Sequence, residues 1–502
     1  MKNHYVAKKL KWLTILLFFL NSYNLFSQEM PGISFSNYSG ISGSMTNPAF
    51  LTGSKVYFDV NILGGDIFFN NTFGYIPKDS TNIWKLLRGG SLPTGFGAYG
   101  YNSFYKIYPN RKTYNFTAIS TIMGPSIMVQ NKKSAFGTGI RIKNFETSFH
   151  FPGNFLKNIY YDKSDSLNKD ELSKNFGFSS LTWYELHFDY AYDFYERYGN
   201  KWTIGIEAKI LFGIEGFYSS VNRLKYHWIN KNQINIDTLS TSLGIALPIN
   251  YNNANKINLK PLSKGHGLGF NIGILYTKNE NPIKQKGGKA LCAQPYENYK
   301  YRIGFSILDI GSIKFNKTAQ LHQINTSNKI IDINNIYGDF STVNSTMKVI
   351  SQLLLGDSTA SLKDTTFTMS LPTAVSFQYD YHYRKNIFIS GFWIHPLRFQ
   401  NKSLRRPSQL AIIPRYDTRL LGISIPVSLY DYHQMRLGLA IRIYTLTIGT
   451  DKLGTLLGTS NLSGMDFYFN LKFNFLKGTC LTWKKGACSK NKKRALDFRL
   501  FK

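Results

Sequence analysis

The residues best placed to do chemistry lie in one short stretch around His187. Glu185 and Asp189 stand two residues to either side of it, so all three side chains share one face of an extended strand. An imidazole between two carboxylates can bind a metal ion or join a hydrogen-bond network. The nine histidines are scattered along the chain and supply no further ligand at a metal-binding spacing. We therefore predict a hydrogen-bond network here, with no metal and no cofactor.

The motifs of common enzyme classes are missing from the sequence. It contains no GxSxG, no HExxH, no CxxC and no GxxxxGK[ST]. Gly287-Gly288-Lys289 is followed by Ala290, so it lacks the hydroxyl residue of a phosphate-binding loop. Because no nucleophile and base come together in any motif, we predict that the protein is not an enzyme.

Strands are the elements that must position these side chains. In residues 182–197, aromatic and apolar residues fill the even positions from 184 to 194, while Glu185, His187 and Asp189 are among the odd ones. The same period of two gives residues 465–475 one apolar and one polar face, and it recurs along most of the chain. Alternating strands of about ten residues are typical of membrane barrels. The sequence thus predicts an all-β fold, a transmembrane antiparallel β-barrel of about 14 strands, with about 12 or 16 as alternatives.

The connections between the predicted strands alternate in length. Short turns such as Asn131-Lys132-Lys133 alternate with long loops, for which we predict residues 151–180, 219–264 and 316–365. Bacterial barrels have short periplasmic turns, long extracellular loops and an even strand number. The alternation changes phase at Tyr444, and we interpret this as a turn that makes the strand number even.

Two of these loops contain patterns of their own. Residues 219–264 could hold a separate hairpin, which leaves the strand number open. In residues 316–365, Val343, Met347 and Ile350 recur at helical spacing. They predict a short amphipathic helix whose role is packing.

Polar side chains on the inward phase of the strands are the candidate lumen-facing residues. They mix positive and negative charges, which suits ion pairs that close or stiffen a lumen better than an ion-selective pore. The candidates are Glu185, His187, Asp189, Glu207, Lys209, Arg302, Asp380, Arg384, Arg436, Arg442, Asp466 and Lys472.

The two ends of the chain are predicted to lie outside the barrel wall. Residues 1–27 have the basic start, apolar run and cleavable end of a secretory signal peptide, and the run is too short to span a membrane. Residues 28–54, which include the motif Asn47, Pro48 and Ala49, are predicted to be a lumenal plug or a periplasmic lead-in. Residues 55–475 form the predicted barrel and residues 476–502 a basic periplasmic tail. This layout places the protein in the outer membrane of the cell.

Composition agrees with that location. The aromatic share is 16%, as expected of a barrel with aromatic girdles at both membrane interfaces. The mean hydropathy of −0.22 fits strands in which every second residue faces a polar lumen. The net charge of +31 predicts contact with outer-membrane lipid and lipopolysaccharide phosphates rather than with nucleic acid.

The cysteine content is low. Cys292, Cys480 and Cys488 are too few for a disulfide-built scaffold. Cys480 and Cys488 could pair in an oxidising periplasm or remain free thiols.

Several segments resemble those of one protein family. They are Asn47-Pro48-Ala49, LDIGSIKF at residues 308–315, SLPTAVSFQYDY at 370–381, and the block 409–475 with ISIPVSLYDYHQMRLGLAIRIYTLTIGTD at 423–451. Together they resemble a Bacteroidota family of outer-membrane proteins of unknown function. That family is distantly similar to FadL-type transporters of hydrophobic compounds and to the FadL-like PorV proteins of type IX secretion. The resemblance implies an N-terminal hatch at residues 29–51 and no catalytic residues, although the charged inward faces depart from the FadL pattern.

Two functions remain open from the sequence. The first is the FadL-like passage of hydrophobic or small solutes across the outer membrane, with residues 29–51 as the hatch. The second is a non-transporting structural or secretion-associated subunit that docks partner proteins, such as secretion components or surface lipoproteins. The family resemblance and a barrel wide enough for a lumen place the first function slightly ahead. The long loops, the mixed charges and the basic tail motivate the second.

Overall fold

Fourteen antiparallel strands form a closed barrel in the computed structural model of the protein. Each barrel strand pairs with the next along the chain, and the first pairs with the last, so that Val60 lies opposite Phe473. The predicted all-β barrel and its strand number are therefore confirmed. The structure describes residues 30–80, 106–108, 112–154, 169–280, 290–294, 296, 298–397 and 404–478. The predicted signal peptide and the tail from residue 479 onward lie outside these ranges.

The barrel strands are numbered in chain order. They are β1 Val56–Asn71, β2 Thr113–Asn131, β3 Ser134–Pro152, β4 Glu171–Arg197, β5 Asn200–Trp228, β6 Gly265–Asn279, β7 Tyr299–Phe315, β8 Phe367–Ser370 with Ala374–Arg384, β9 Ile387–Pro396, β10 Gln409–Asp417, β11 Leu421–Ser424 with Val427–Tyr430, β12 Gln434–Leu437 with Leu439–Ile443, β13 Leu446–Thr450 and β14 Gly464–Leu476. Shorter strands outside the barrel are Gly74–Tyr75, Lys106–Ile107, Ile249–Asn250, Asn253–Ile257 and Leu362–Asp364.

The strands β4 and β5 continue far beyond the rest of the barrel, with 27 and 29 residues. The far half of β5 pairs with strand Gln233–Ala246, which pairs in turn with strand Gln320–Asp332. We call this four-stranded part the sheet extension. The predicted loops 151–180, 219–264 and 316–365 are wrong where these strands lie. Strands that leave the bilayer face water on their outer side and lose the apolar alternation that reveals a strand.

The predicted helix in residues 316–365 is confirmed as helix Val343–Leu355. It begins with a capping box between Thr342 and Ser345 and ends at Gly356, whose φ of 82° is left-handed. Met347 is buried against Ile245 and Tyr251 at the base of the sheet extension. The shorter helices are Pro31–Ser34, Gly40–Met45, Pro48–Leu51, Leu291–Ala293, Ile333–Asn335 and Leu453–Leu456.

One end of the barrel carries the tight turns, and we call it the short-turn end. The phase change at Tyr444 is such a turn, because Ile443 pairs with Leu446 and Tyr444 has a φ of 50°. The opposite, long-connection end carries the sheet extension. With 14 strands, residues 55 and 477 both lie at the short-turn end, where their backbones are hydrogen-bonded to each other.

The outer surface of the barrel is an apolar band bounded by aromatic side chains. Ile204, Ile206 and Ile210 are 40–48% exposed on β5, whereas the alternate residues point inward. Trp202 contacts Tyr276 nearer the short-turn end, and Tyr184 stacks on Phe212 farther along, with ring centroids 5.0 and 4.6 Å apart. This is the outward face that a membrane barrel presents to lipid.

The helices of the described residues are all too short or too polar to cross a membrane.

Cys292 forms a disulfide bond in the connection between β6 and β7. The sequence leaves open whether Cys480 and Cys488 pair with each other. Both of those residues lie outside the described ranges. The backbone N–H of Gly478 donates to the carbonyl of Cys292 over 2.7 Å, so the end of β14 lies against this connection.

Candidate functional site: the plugged lumen

Residues 30–54 lie inside the barrel, in the half nearer the short-turn end. We call them the plug. All are buried except Ser36, Met45 and Gly53, which are half-buried. The plug has no Asp, Glu, Lys, Arg or His, and its three short helices are Pro31–Ser34, Gly40–Met45 and Pro48–Leu51. Of the two sequence-based alternatives for this stretch, the contacts below correspond to a lumenal plug.

Charged groups of the barrel wall bind the backbone of the first half of the plug. Asp59 on β1 accepts from the N–H of Ile41, and Asp417 on β10 accepts from the N–H of Asn37, both over 2.8 Å. Lys472 on β14 donates to the carbonyl of Tyr38 over 2.7 Å. A buried charge is costly unless it is paired or hydrogen-bonded. The plug backbone thus satisfies wall charges that would otherwise need water.

The second half of the plug sits on a row of glycines. Asn47 donates from its side chain to Gln378 over 3.0 Å and accepts from the N–H of Ala49 over 2.9 Å, which caps helix Pro48–Leu51. A Cβ on Gly205 would lie 2.3 Å from the Ala49 nitrogen, and one on Gly273 would lie 2.0 Å from Asn47 Oδ1. The motif Asn47-Pro48-Ala49 can therefore approach the wall only where β5 and β6 lack side chains.

We expect Gly273→Val to dislodge this half of the plug while the barrel still closes. The new side chain would occupy the space of the Asn47 amide, but β-branched residues are favourable in strands. Limited proteolysis should cut the plug of the variant at least about tenfold faster than that of the wild-type protein. Gly391→Val is the control, because a Cβ there meets nothing closer than 3.7 Å. Equal cleavage of both variants would contradict the seating role of the glycine row.

A cluster of buried charges lies on the long-connection side of the plug, on β3, β4, β5 and β7. Arg141 bridges Glu185 and Glu207, and Lys209 Nζ lies 2.6 Å from Asp309 Oδ1. The Arg141 guanidinium also lies 3.4 Å from Ser44 Oγ in the plug. We call this the upper charge cluster. It alternates positive and negative groups, so nearly every charge has a counter-charge within hydrogen-bond reach.

His187 belongs to the upper charge cluster and not to a separate site. Its Nδ1 lies 2.6 Å from Asp189 Oδ2 and 3.6 Å from Glu207 Oε1. These three residues have ligand atoms close enough to hold a metal ion. Arg141 already supplies a cation at this position, because its Nη1 binds Glu207 Oε1, the same oxygen that lies 3.6 Å from His187 Nδ1. The arrangement is that of a charged hydrogen-bond network.

A second group of possible ligands, Asp170, His227 and Asp237, lies on the sheet extension. Lys225 Nζ is 2.6 Å from Asp170 Oδ2, and this hydrogen bond lowers the pKa of the exposed Asp170 carboxyl. His227 Nδ1 lies 3.3 Å from Asp237 Oδ1. Here too a basic side chain already neutralises the carboxylates, so the group is an ion pair at the surface.

A lower charge cluster faces the plug from the other side of the lumen. Asp380 on β8 accepts from Arg302 on β7 and from Arg415 on β10, the latter over 2.7 Å. Arg415 and Arg442 both contact Asp417, over 3.1 and 2.8 Å. Arg302 also donates to the carbonyl of Gly53 in the plug over 3.2 Å. The cluster thus joins four wall strands to the plug.

The structure buries all the candidate lumen residues except Arg384. Arg384 ends β8 at the short-turn end and is exposed, so its assignment to the lumen is wrong. Its phase along the strand is inward, but the lumen has ended at that height. Arg436 stacks on Tyr430, 3.5 Å from the ring centroid, and Asp466 accepts from the N–H of Asp451. Lys472 contacts the plug, as described above.

Several residues of these clusters are not among the lumen-facing residues predicted from the sequence. Asp309 points inward because β7 bulges there, with a φ of 51° at Asp309 and a register shift opposite Phe270 and Ile272. Arg415 shares its inward phase with Ala411 and Ile413, which are buried and apolar. The position of Arg415 is therefore predictable from the alternation of β10, whereas the bulge at Asp309 has no sequence signal.

An apolar layer fills the lumen between the upper charge cluster and the long-connection end. Trp183 and Leu211 belong to it on β4 and β5, and both are fully buried. Phe315 and Phe367 stack with ring centroids 5.2 Å apart on β7 and β8. Leu404, from the connection between β9 and β10, packs into the layer from the long-connection end.

The chain matches the model of one protein family over residues 48–451, described as a family of unknown function (DUF5723). The chain belongs to this family. The expected family of unknown function is thereby confirmed, while its Bacteroidota origin and its similarity to PorV stay predictions. The DUF5723 match begins within the plug, at Pro48, and ends at Asp451 directly after β13. A search of curated proteins finds no match.

Several solved structures of barrels are similar to this DUF5723 chain. A TodX mutant, a monoaromatic hydrocarbon channel, has a TM-score of 0.41 and 9% identity, covering 87% of this chain and 95% of its own. The toluene transporter TbuX of Ralstonia pickettii has 0.39 and 10%, covering 90% and 100%. A FadL homologue of Pseudomonas aeruginosa has 0.38 and 11%, covering 90% and 99%.

Proposed function

We propose that this protein is a gated barrel of the outer membrane that lets small or hydrophobic solutes pass when its plug moves. The observation that carries the proposal is the plug itself. It is a separate segment without charged side chains, and hydrogen bonds from the wall hold it in place. When the plug moves, these hydrogen bonds can be replaced by hydrogen bonds to water at a small net cost in free energy. The contacts of a permanent apolar core have no such replacement.

The width of the barrel supports a gated passage. A barrel of about 8 strands is just wide enough for its own side chains to fill, whereas about 16 to 18 strands leave an aqueous channel. With 14 strands, this barrel needs the plug to fill its lumen. A purely structural barrel could reach the same closed state with fewer strands and no plug.

The apolar layer bears on the class of solute. Trp183, Leu211, Phe315 and Phe367 offer a dry, aromatic surface between the plug and the long-connection end. A hydrophobic solute gains free energy in proportion to the apolar area that it buries against such a surface. A hydrated ion would lose its water there without receiving compensating ligands.

The proposed orientation of the barrel in the membrane rests on the apolar outer band and on the lengths of the connections. We propose that the band around Ile204, Ile206 and Ile210 contacts lipid, that the short-turn end is periplasmic and that the sheet extension is extracellular. The basic side chains near the long-connection end would meet lipopolysaccharide phosphates.

Deletion of residues 30–51 should turn a closed barrel into a conducting one. We expect the full chain to stay near background in planar bilayers and the deletion variant to show sustained conductance, because the freed wall charges will draw water into the lumen and the apolar layer, which then has no plug beneath it, will open intermittently. Asn47→Ala, which loosens only one half of the plug, should give intermediate and intermittent openings. A folded deletion variant, verified by heat-modifiable migration on gels, that conducts no more than the full chain would refute the passage proposal.

The sheet extension favours a second candidate function, a subunit that docks partner proteins. Strands of 27 and 29 residues far exceed the 9–11 or so that a bilayer requires. Secretion components or surface lipoproteins are the partners we propose for this surface. Affinity purification of the full chain from solubilised outer membrane should then recover a partner protein. A variant with a shortened turn between residues 229 and 232 should retain this partner, and a variant lacking residues 320–364 should lose it. Recovery of the bare barrel in all cases would reject this function.

A further inference from the structure

A segment of the long-connection end folds down into the lumen. Residues 404–408, which we call the inward segment, precede β10. Leu404 is buried in the apolar layer, and the N–H of Arg405 contacts Thr147 Oγ1 on the inner face of β3. The carbonyl of Ser408 accepts from the N–H of Asp431 over 2.7 Å. The lumen is thus occupied from both ends, by the plug and by the inward segment.

Arg406 attaches the inward segment to the upper charge cluster. Its Nη1 lies 3.0 Å from Asp309 Oδ2, while the other oxygen of Asp309 binds Lys209 and lies 3.5 Å from Lys143. The Asp309 carboxylate is therefore shared by three cations. If Arg406 leaves, the whole negative charge is available to Lys209 and Lys143.

Two parallel chains of charged contacts lead from Asp309 to the plug. In one, Lys209 lies 3.7 Å from Glu207, which binds Arg141. In the other, Lys143 lies 3.5 Å from Glu185, and Glu185 is 3.2 Å from the same Arg141. Both chains end at Arg141, whose Nη2 contacts Ser44 of the plug. All of these side chains are largely buried, so water screens their charges little.

We propose that the inward segment and the plug are energetically coupled through this network, so that withdrawal of Arg406 loosens the plug. When Arg406 leaves, Lys209 and Lys143 move toward Asp309 and weaken their hold on Glu207 and Glu185. These carboxylates then draw Arg141 more strongly and away from Ser44. An event at the long-connection end would in this way release the closure at the short-turn end.

This coupling deepens the proposed passage of solutes, on which its biological meaning rests. It differs from that proposal in what can be measured, because coupling is a change in the opening of one segment caused by the other. A barrel that never conducts can still show it. Hydrogen–deuterium exchange of the full chain in detergent or lipid nanodiscs reports both segments without a transport assay.

Arg406→Gln is the decisive variant. We expect amide exchange in residues 41–46 of its plug to rise about fivefold or more, the lower limit of usual allosteric couplings. Arg405→Gln is the matched control, because Arg405 contacts Asp431 at 3.5 Å and takes no part in either chain of contacts. Arg406→Lys, which keeps the charge, should give a smaller increase. Because Arg406 lies in a connection and not in a strand, we expect all three variants to close into barrels.

The coupling can also be tested in the opposite direction, from the plug to the inward segment. Asn47→Ala weakens the plug from the far side, and linkage requires the coupling to act in both directions, so exchange in residues 404–408 should rise in this variant as well. If Arg406→Gln speeds amide exchange in the inward segment but leaves exchange in the plug unchanged, the proposal is overturned. Equal loosening of the plug by Arg405→Gln and Arg406→Gln would also overturn it, because the effect would then not pass through Asp309.

Discussion

Asp380→Ala should destabilise the barrel by about 3–5 kcal/mol, the usual cost of removing one partner from a buried ion pair. Asp380 is 2% exposed and accepts from Arg302, Arg415 and Tyr299. Arg415 keeps Asp417 as a counter-ion, but Arg302 is left with the ring and hydroxyl of Tyr299 and the carbonyl of Gly53. The stranded guanidinium accounts for most of the expected loss.

Urea unfolding in micelles, followed by tryptophan fluorescence, measures this effect. Arg384→Ala is the control on the same strand, because exposed side chains away from special contacts change stability by no more than about 0.5 kcal/mol. If the two variants unfold at the same urea concentration, the lower charge cluster does not stabilise the barrel. Asp380→Asn, which keeps the shape, should lie between them.

Ile206→Arg should impair assembly by about 2–4 kcal/mol, the cost of an arginine at the bilayer midplane on the lipid face of a barrel. Ile206 is 41% exposed and lies between the aromatic residues Trp202 and Phe212 of β5. The guanidinium cannot reach either interface without distorting the strand. The folded band on heat-modifiability gels should therefore be weak or absent.

Ile206→Leu is the matched control and should assemble like the wild-type protein. A change of the inward neighbour is no suitable control, because Lys209 is 1% exposed and neutralises Asp309. Normal assembly of Ile206→Arg would mean that this part of β5 does not face lipid, and the inward assignment of Glu207 and Lys209 would then be reversed.

Period-two alternation revealed the barrel because the bilayer enforces it. Within the apolar band each outward position must be apolar, so the strand predicted at residues 465–475 agrees to within one residue at each end with β14, Gly464–Leu476. Above the band that requirement ends, and strand Gln320–Asp332 carries polar residues on both faces. Its sequence therefore lacks the alternation of a strand and predicts a loop.

For the candidate site, the alternation predicts which side chains point into the lumen but not which of them meet. Glu207 and Lys209 follow the alternation and lie in the lumen, whereas the partners that hold them, Arg141 and Asp309, come from strands far along the chain. Which charges meet depends on the register between strands and on the bulge in β7, and neither is encoded in a local pattern. The seating of Asn47 on Gly273 likewise needs the folded barrel.

The plug also spans the seam at which the barrel closes. Asp59 on β1 and Lys472 on β14 lie on the two sides of this seam, and both hold neighbouring residues of the plug, Ile41 and Tyr38. The plug precedes β1 directly in the chain, so it is tethered beside one margin of the seam before β14 arrives. It can enter sideways while the sheet is still open, and the last strand then finds its lumenal partners already in place. The position of this segment thus bears on the order of assembly as well as on the proposed gating.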